Sequence, residues 1–182
     1  MCTEIEAKLK VDSHGEIEAR LKTLGASFIE IQHQADSYFD DPAGTLKNAD
    51  KALRLRRQTT QAGKNAFITF KGPKQKHQLK KRREIQFEVA DADAAEKMLI
   101  ALEYKKILVV EKKRALWRLG PCEVALDDLP ELGTFVEIEG SDADAIAHAQ
   151  KSLRLEHLAH IPQSYACLIR NKSSQNLERP NI

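Results

Sequence analysis

Apolar and polar residues alternate with a period of two through several short stretches, the pattern of strands with one buried face. In residues 3–10, Ile5, Ala7 and Leu9 share one face while Glu4, Glu6 and Lys8 share the other, because successive side chains of a strand point to opposite sides. Residues 52–56 set Leu53 and Leu55 against Arg54 and Arg56, and residues 67–71 set Ile68 and Phe70 against Thr69 and Lys71. Residues 82–89 set Ile85, Phe87 and Val89 against Arg82, Glu84, Gln86 and Glu88. Further on, Lys112 and Arg114 share a face, Glu123, Ala125 and Asp127 face away from Val124 and Leu126, and Glu137 and Glu139 oppose Val136 and Ile138. Residues 28–40 read as a further strand region, and 104–118 as one long strand or a bent pair. The total is about eight strands.

Helices fall between them at intervals. Ser13 with Glu16 has the spacing of a capping box, Ile17, Leu21 and Leu24 follow at helical spacing, and Gly25 suits the residue just past the helix end. This helix is expected to lie over the apolar side of the sheet. Asp91 is a candidate cap for a helix through Met98, Leu99 and Leu102, and Ser141 for one containing Ile146 and Leu153. Pro162 suits the first turn of a short final helix with Tyr165, Leu168 and Ile169. Residues 41–44, 61–64, 120–121 and 128–133 are turns or connections. The division expected is one domain over residues 1–170 and a polar tail over 171–182, with no internal repeat.

The polar faces are not the usual mixture of Thr, Ser, Lys and Gln. They sort into carboxylate strands, the first and last especially, and guanidinium or ammonium strands between. An open antiparallel sheet with a wet face accounts for alternation alone. A closed antiparallel barrel with its charged faces turned inward accounts for the sorting as well, provided that the channel is hydrated, internally paired or filled by a ligand. The fold class expected is α+β: an eight-stranded closed barrel with flanking helices.

Composition narrows the partners. The chain has 182 residues, 29 basic against 27 acidic, for a formal charge of +2. That balance argues against a dedicated nucleic-acid binder, so any phosphate chemistry rests on local sorting of charge. The basic run 74–83 reads as a solvated loop, or as a rim that draws in an anion. No apolar run approaches membrane-spanning length, and the start is too charged for a signal peptide. Three cysteines without CxxC spacing fit a reducing cytoplasm.

With those patterns laid out, the chain resembles the CYTH superfamily, the triphosphate tunnel metalloenzymes. The ExExK strand is Glu4-Glu6-Lys8; Tyr38-Phe39-Asp40 resembles the YFD segment, 53–56 the LRxR strand and 69–72 the TxKG strand. Arg82-x-Glu84, Lys112-x-Arg114, Ala125-Leu126-Asp127, the LGxFxExE stretch 132–139 and Ser164-Tyr165 follow in the family's order. Gln86 stands where many relatives carry a carboxylate.

The resemblance implies a tunnel that binds a triphosphate-containing small molecule with Mg²⁺ or Mn²⁺. Arg54, Arg56, Lys71, Arg82, Lys112 and Arg114 are then the phosphate-binding candidates, joined by Lys8, since guanidinium forks and ammonium groups suit phosphate oxygens. Glu4, Glu6, Glu137 and Glu139 are the first metal candidates, meeting if the first and last strands pair; Glu84, Glu123 and Asp127 come second, as ligands or as partners that orient the cations. Lys8, Glu4 and Glu6 are the catalytic candidates. Hydrolysis of a triphosphate is expected, with class IV adenylyl cyclisation and non-catalytic polyphosphate binding as alternatives. No nucleic acid or membrane partner is expected, and a homodimer is allowed. His157 and His160 lack a third ligand for zinc, while Trp117 and Cys122 read as packing; Tyr38 and Tyr165 read as packing or as lining of the tunnel mouth.

Overall fold

The computed structural model of the chain describes residues 2–177. The alternating stretches form eight strands: β1 (Cys2–Lys10), β2 (Ser27–Asp40), β3 (Ala52–Thr60), β4 (Gly63–Lys71), β5 (Lys80–Val89), β6 (Lys105–Leu119), β7 (Cys122–Leu129) and β8 (Gly133–Glu139). All pairings are antiparallel and close a barrel in the order β1-β5-β4-β3-β2-β6-β7-β8. Closure comes from β1 pairing with β5 on one side and β8 on the other, with Glu6 opposite Lys80 and Glu139, and Lys8 opposite Glu137. The stretch after Tyr104 is one continuous strand, β6, whose long pairing with β2 takes two register shifts.

Five helices flank the barrel: α1 (Gly15–Thr23), α2 (Thr45–Asn48), α3 (Ala92–Ala101), α4 (Ala143–Ser152) and α5 (Tyr165–Leu177). None of the described helices is long and apolar enough to cross a membrane. The main core is outside the barrel. Ile5, Ala7, Leu9, Val124, Leu126, Val136 and Ile138 point outward and bury against Ile17 and Leu21 of α1 and Ile146 and Ala149 of α4. A second cluster joins Phe39, Leu55 and Ile68 to Ala95 and Leu99 of α3. At about 25 cal/mol per Å² of apolar surface removed from water, this outer layer carries the hydrophobic stabilisation, which leaves the inner face free to be polar.

One mouth is different. There Val110, Leu129 and Phe135 occupy inward positions and pack against Tyr165, Ala166 and Ile169, so α5 lies across that end of the barrel. Trp117 and Cys122 are buried in the outer core, Trp117 edge-on to Phe28.

Several local expectations need correction. The Ser13–Glu16 capping box does not form: α1 starts from His14, which makes no side-chain cap, its ring instead meeting the Phe135 carbonyl at 3.0 Å. Gly25 does end the helix, at φ +71°, where a side chain would be strained. The cap of α4 is Asp142, which accepts from Ala145 N–H, while Ser141 donates to Asp142. Ser164, not Pro162, begins α5: its carbonyl accepts from Leu168 N–H and its hydroxyl from Cys167 N–H. The helix then continues to Leu177, past the tail expected from 171; residues 178–182 lie outside the described residues. The expected turn at 41–44 leads into the single turn of α2, which exists because the Asp40 carboxylate accepts N–H bonds from Asp41, Leu46 and Lys47.

Candidate active site

The inward faces enclose a cavity of about 580 Å³. Eight cations line it, namely Lys8, Arg54, Arg56, Lys71, Lys80, Arg82, Lys112 and Arg114. Seven carboxylates face them: Glu4, Glu6, Asp36, Glu84, Glu123, Glu137 and Glu139. Most of these charges pair with one another or with Asp50, Asp127 and Arg118 beside them. Burying either sign alone would cost several kcal/mol per ion, so each sits where the other can pair with it.

Asp36, in the middle of β2, anchors one side. Its Oδ1 accepts from Arg56 Nε at 2.6 Å and its Oδ2 from Arg56 Nη2 at 2.7 Å, with Arg54 Nη1 at 3.4 Å. Arg54 also donates to Thr69 Oγ1 at 3.0 Å and to Gln86 Oε1 at 3.4 Å, so the amide at 86 serves as an acceptor for a guanidinium. Burial pushes the Asp36 carboxyl up, but the Arg56 and Arg54 guanidiniums outweigh it and hold the group well below the usual carboxylate range.

Asp127 anchors the other side. It is fully buried, and its oxygens accept from Arg114 Nε at 2.6 Å, Lys112 Nζ at 3.1 Å and Tyr165 OH at 2.9 Å. Arg114 also reaches Glu137. Lys8 lies 3.2 Å from Glu137, donates to the Gln163 carbonyl at 2.9 Å and sits 4.0 Å over the Tyr165 ring, which Lys112 approaches at 4.9 Å. Tyr165 therefore lines the tunnel as well as packing. Desolvation lowers the Lys112 ammonium to about 8, the neighbouring Arg114 charge adding to the effect against the opposing pull of Asp127.

The remaining carboxylates gather where β1 meets β8 and β7. Glu139 neighbours Glu6 across one pairing and Glu123 across the other. It keeps access to solvent, yet burial and then the Glu4, Glu6 and Glu123 charges raise it to about 7. Glu4 pairs with Lys71 at 3.2 Å, Lys71 also with Glu84, Glu6 with Lys80 at 2.5 Å, and Glu123 with Arg118 at 2.5 Å. Glu137 stands apart from this group, held by Lys8 and Arg114. Among the described residues no three His, Cys, Asp or Glu side chains already form a metal cage. The donor set nonetheless suits a hard divalent cation: all-oxygen ligands with mutual repulsion for a cation to relieve, Mg²⁺ commonly keeping several waters and taking substrate phosphates.

Two residues escaped the sequence reading. Asp36 shares the inward parity of Tyr38 and Asp40, and that alternation was the available signal. Lys80 lay in the basic run taken for a solvated loop; β5 begins two residues earlier than expected, which turns Lys80 and Arg82 inward. Arg82 is fixed by the Asp50 carbonyl at 3.1 Å and carboxylate at 3.0 Å.

A family model described as CYTH domain matches residues 3–165. A Methanocaldococcus jannaschii protein named as a candidate adenylate cyclase is 33% identical over 141 residues, 78% of each chain. Adenylate cyclase CyaB of Aeromonas hydrophila is 30% identical over 136 residues, 74% of this chain and 67% of that one. A Pyrococcus horikoshii protein of solved structure superposes with a TM-score of 0.80 at 29% identity, covering 93% of this chain and 99% of that chain.

Proposed function

The chain belongs to the CYTH family, and from its tunnel we propose that it is a divalent-metal-dependent phosphohydrolase that cleaves a triphosphate, inorganic or organic. The observation that carries this reading is the convergence of eight cations and seven carboxylates in one enclosed channel. A triphosphate presents several negative charges on closely spaced oxygens, and guanidinium forks with ammonium groups match them.

Arg54, Arg56, Arg114 and Lys112 face the phosphates from the two anchored sides of the tunnel. Asp36 and Asp127 hold those cations in place, and Asp127, with every oxygen engaged, takes the orienting role rather than that of metal ligand. Lys8, Lys71, Lys80 and Arg82 complete the cationic lining. Glu4, Glu6 and Glu139, with Glu123 at the edge, are the metal ligands that the geometry favours; Glu84 and Glu137 hold Lys71, Lys8 and Arg114. Those carboxylates would hold Mg²⁺ or Mn²⁺, which when bound would supply positive charge toward the phosphate oxygens and acidify a nucleophilic water. The cations stabilise the charge that develops as the terminal phosphoryl group departs, and fixing them beforehand by Asp36 and Asp127 avoids reorganisation during the step.

A second reading, cyclisation of ATP to cyclic AMP and pyrophosphate, is favoured by the names of the two curated relatives. It uses the same cations and metal but needs the ribose 3′-hydroxyl aligned on the α-phosphorus. Hydrolysis needs no such alignment, since a water at the terminal phosphorus takes the place of the ribose hydroxyl. The test measures phosphate, pyrophosphate and cyclic AMP from tripolyphosphate and from ATP, with Mg²⁺ and then Mn²⁺. Phosphate with pyrophosphate from tripolyphosphate supports hydrolysis; cyclic AMP as the main product from ATP supports cyclisation; tight binding without product leaves a binding module.

A further inference from the structure

At the mouth where β5 begins, the tunnel opens into a second cavity of about 540 Å³, the two sharing Tyr38, Ala52, Lys80, Arg82 and Ser164 as walls. Six cations line it: Lys47 in α2, Lys51 just beyond, Lys74, Lys80 and Arg82, and Arg170 in α5. Two carboxylates join them; Asp50 pairs with Arg82 and Lys74, and Lys80 pairs with Glu6, so that Lys47, Lys51 and Arg170 are the cations without a carboxylate partner among the described residues. Asp40 is committed to the N–H groups of α2. Asp50 accepts from Arg82 at 3.0 Å and from Lys74 N–H at 2.7 Å, and pairs with Lys74 Nζ at 3.0 Å. The tunnel is close to neutral in its own side chains; this vestibule is not.

We infer that the vestibule is a subsite for the continuation of a condensed phosphate chain beyond its third phosphate, so that linear polyphosphates of four or more units bind better than tripolyphosphate. The inference rests on the tunnel being a triphosphate site. Ile107, Leu108 and Ala166 give the vestibule an apolar wall that an organic group could touch. Charge decides against that occupant: a neutral ring leaves the cations of a partly enclosed cavity without a counter-charge, whereas each further phosphate brings one. Chain emerging past Arg82 and Lys80 meets Lys51, Lys47 and Arg170 in the next cavity, where the carboxylates of Asp40 and Asp50 are already engaged by hydrogen bonds.

The experiment is calorimetric titration, in metal-free buffer, of the full chain with tripolyphosphate, tetrapolyphosphate, a chain of about eight phosphates, and ATP. The comparison protein carries Lys47→Gln, Lys51→Gln and Arg170→Gln, three side chains with no hydrogen bond or ion pair to lose among the described residues; its melting temperature checks that it folds. Exposed charge contacts are each worth roughly two- to fivefold in affinity, so the long chain should bind about tenfold tighter than tripolyphosphate. That ratio should fall to within about twofold in the triple variant. Using the variant removes the statistical advantage that a long chain has from its many registers. Equal affinity for all lengths overturns the vestibule while leaving the tunnel reading intact, and so does a preference that survives in the variant. A loss confined to ATP hands the cavity to an organic group and overturns it too. Failure to bind tripolyphosphate at all, in this buffer and again with Mg²⁺ added, removes both readings.

Discussion

Replacing Asp36 by Asn removes the charge that holds two buried guanidiniums while keeping the side chain's volume. The Asp36 side chain is 5% exposed, Arg54 8% and Arg56 13%. Removing one partner of a buried pair costs about 3–5 kcal/mol, chiefly by stranding the other charge. An amide oxygen can still accept one of the Arg56 hydrogen bonds, which places the loss near the lower figure, about 3 kcal/mol. For a chain of this size each kcal/mol moves the melting temperature by about 2–4 °C, so Asp36→Asn should melt about 6–12 °C below the unaltered protein at pH 7. Tripolyphosphate supplies oxygens to the same guanidiniums, so its stabilising effect should be larger in the variant. The pH dependence follows from the sign of the shift. A carboxyl held below its ordinary value of 3.8 contributes stability that is full above that value and lost as pH falls toward the folded value. The gap between the two proteins should therefore be constant through neutral pH and narrow below about pH 4. Thermal denaturation with and without tripolyphosphate reads all of this. A drop under 2 °C, with equal ligand shifts, would show the Arg54–Arg56–Asp36 group to be wet and open, and would refute the reasoning.

Arg56→Ala should weaken tripolyphosphate binding about ten- to a hundredfold, the worth of one or two charge-assisted hydrogen bonds; unchanged titration curves would take Arg56 out of the site. Lys112, lowered to about 8, costs the fold stability while charged, a cost that is full below pH 8 and eases as pH rises toward the ordinary value of 10.5. A bound polyanion raises it again, so binding at pH 8 should take up about half a proton, seen as an enthalpy that varies with the buffer's ionisation enthalpy; an enthalpy independent of buffer contradicts it. Glu139, raised to about 7, makes stability fall as pH climbs from its ordinary 4.5 through 7. Glu139→Gln should flatten that fall in metal-free buffer and weaken Mn²⁺ binding in direct titration; a variant that binds Mn²⁺ as well as the original removes Glu139 from the ligand set.

The barrel was legible because its period-two faces are long and their charges sorted: Ile5, Ala7 and Leu9 opposite Glu4, Glu6 and Lys8 allow few arrangements once the last strand repeats the pattern. Motif order added what alternation could not, the closure of β1 on β8. Helix starts were less readable, since the residues at 13 and 14, at 141 and 142, and at 162 and 164 offer competing caps and tertiary packing chooses between them. Lys80 was misplaced because a dense basic run has the composition of a loop, and only the pairing with β1 at Glu6 turns it inward. Asp36 went unnoticed because a lone carboxylate in a strand with Gln32 and Gln34 carries no sign of the two arginines that meet it from β3. Glu137 shares the inward parity of Glu139, and the contacts that parity alone does not show are the register that sets it opposite Lys8 and the reach of Arg114 from β6.

Crystals of the protein grown with tripolyphosphate and Mn²⁺ would test the channel most directly. The phosphates should lie between Arg54, Arg56, Lys112 and Arg114, with anomalous manganese density beside Glu4, Glu6 and Glu139. Phosphate and manganese bound only on the outer surface, with the tunnel holding water alone, would contradict it.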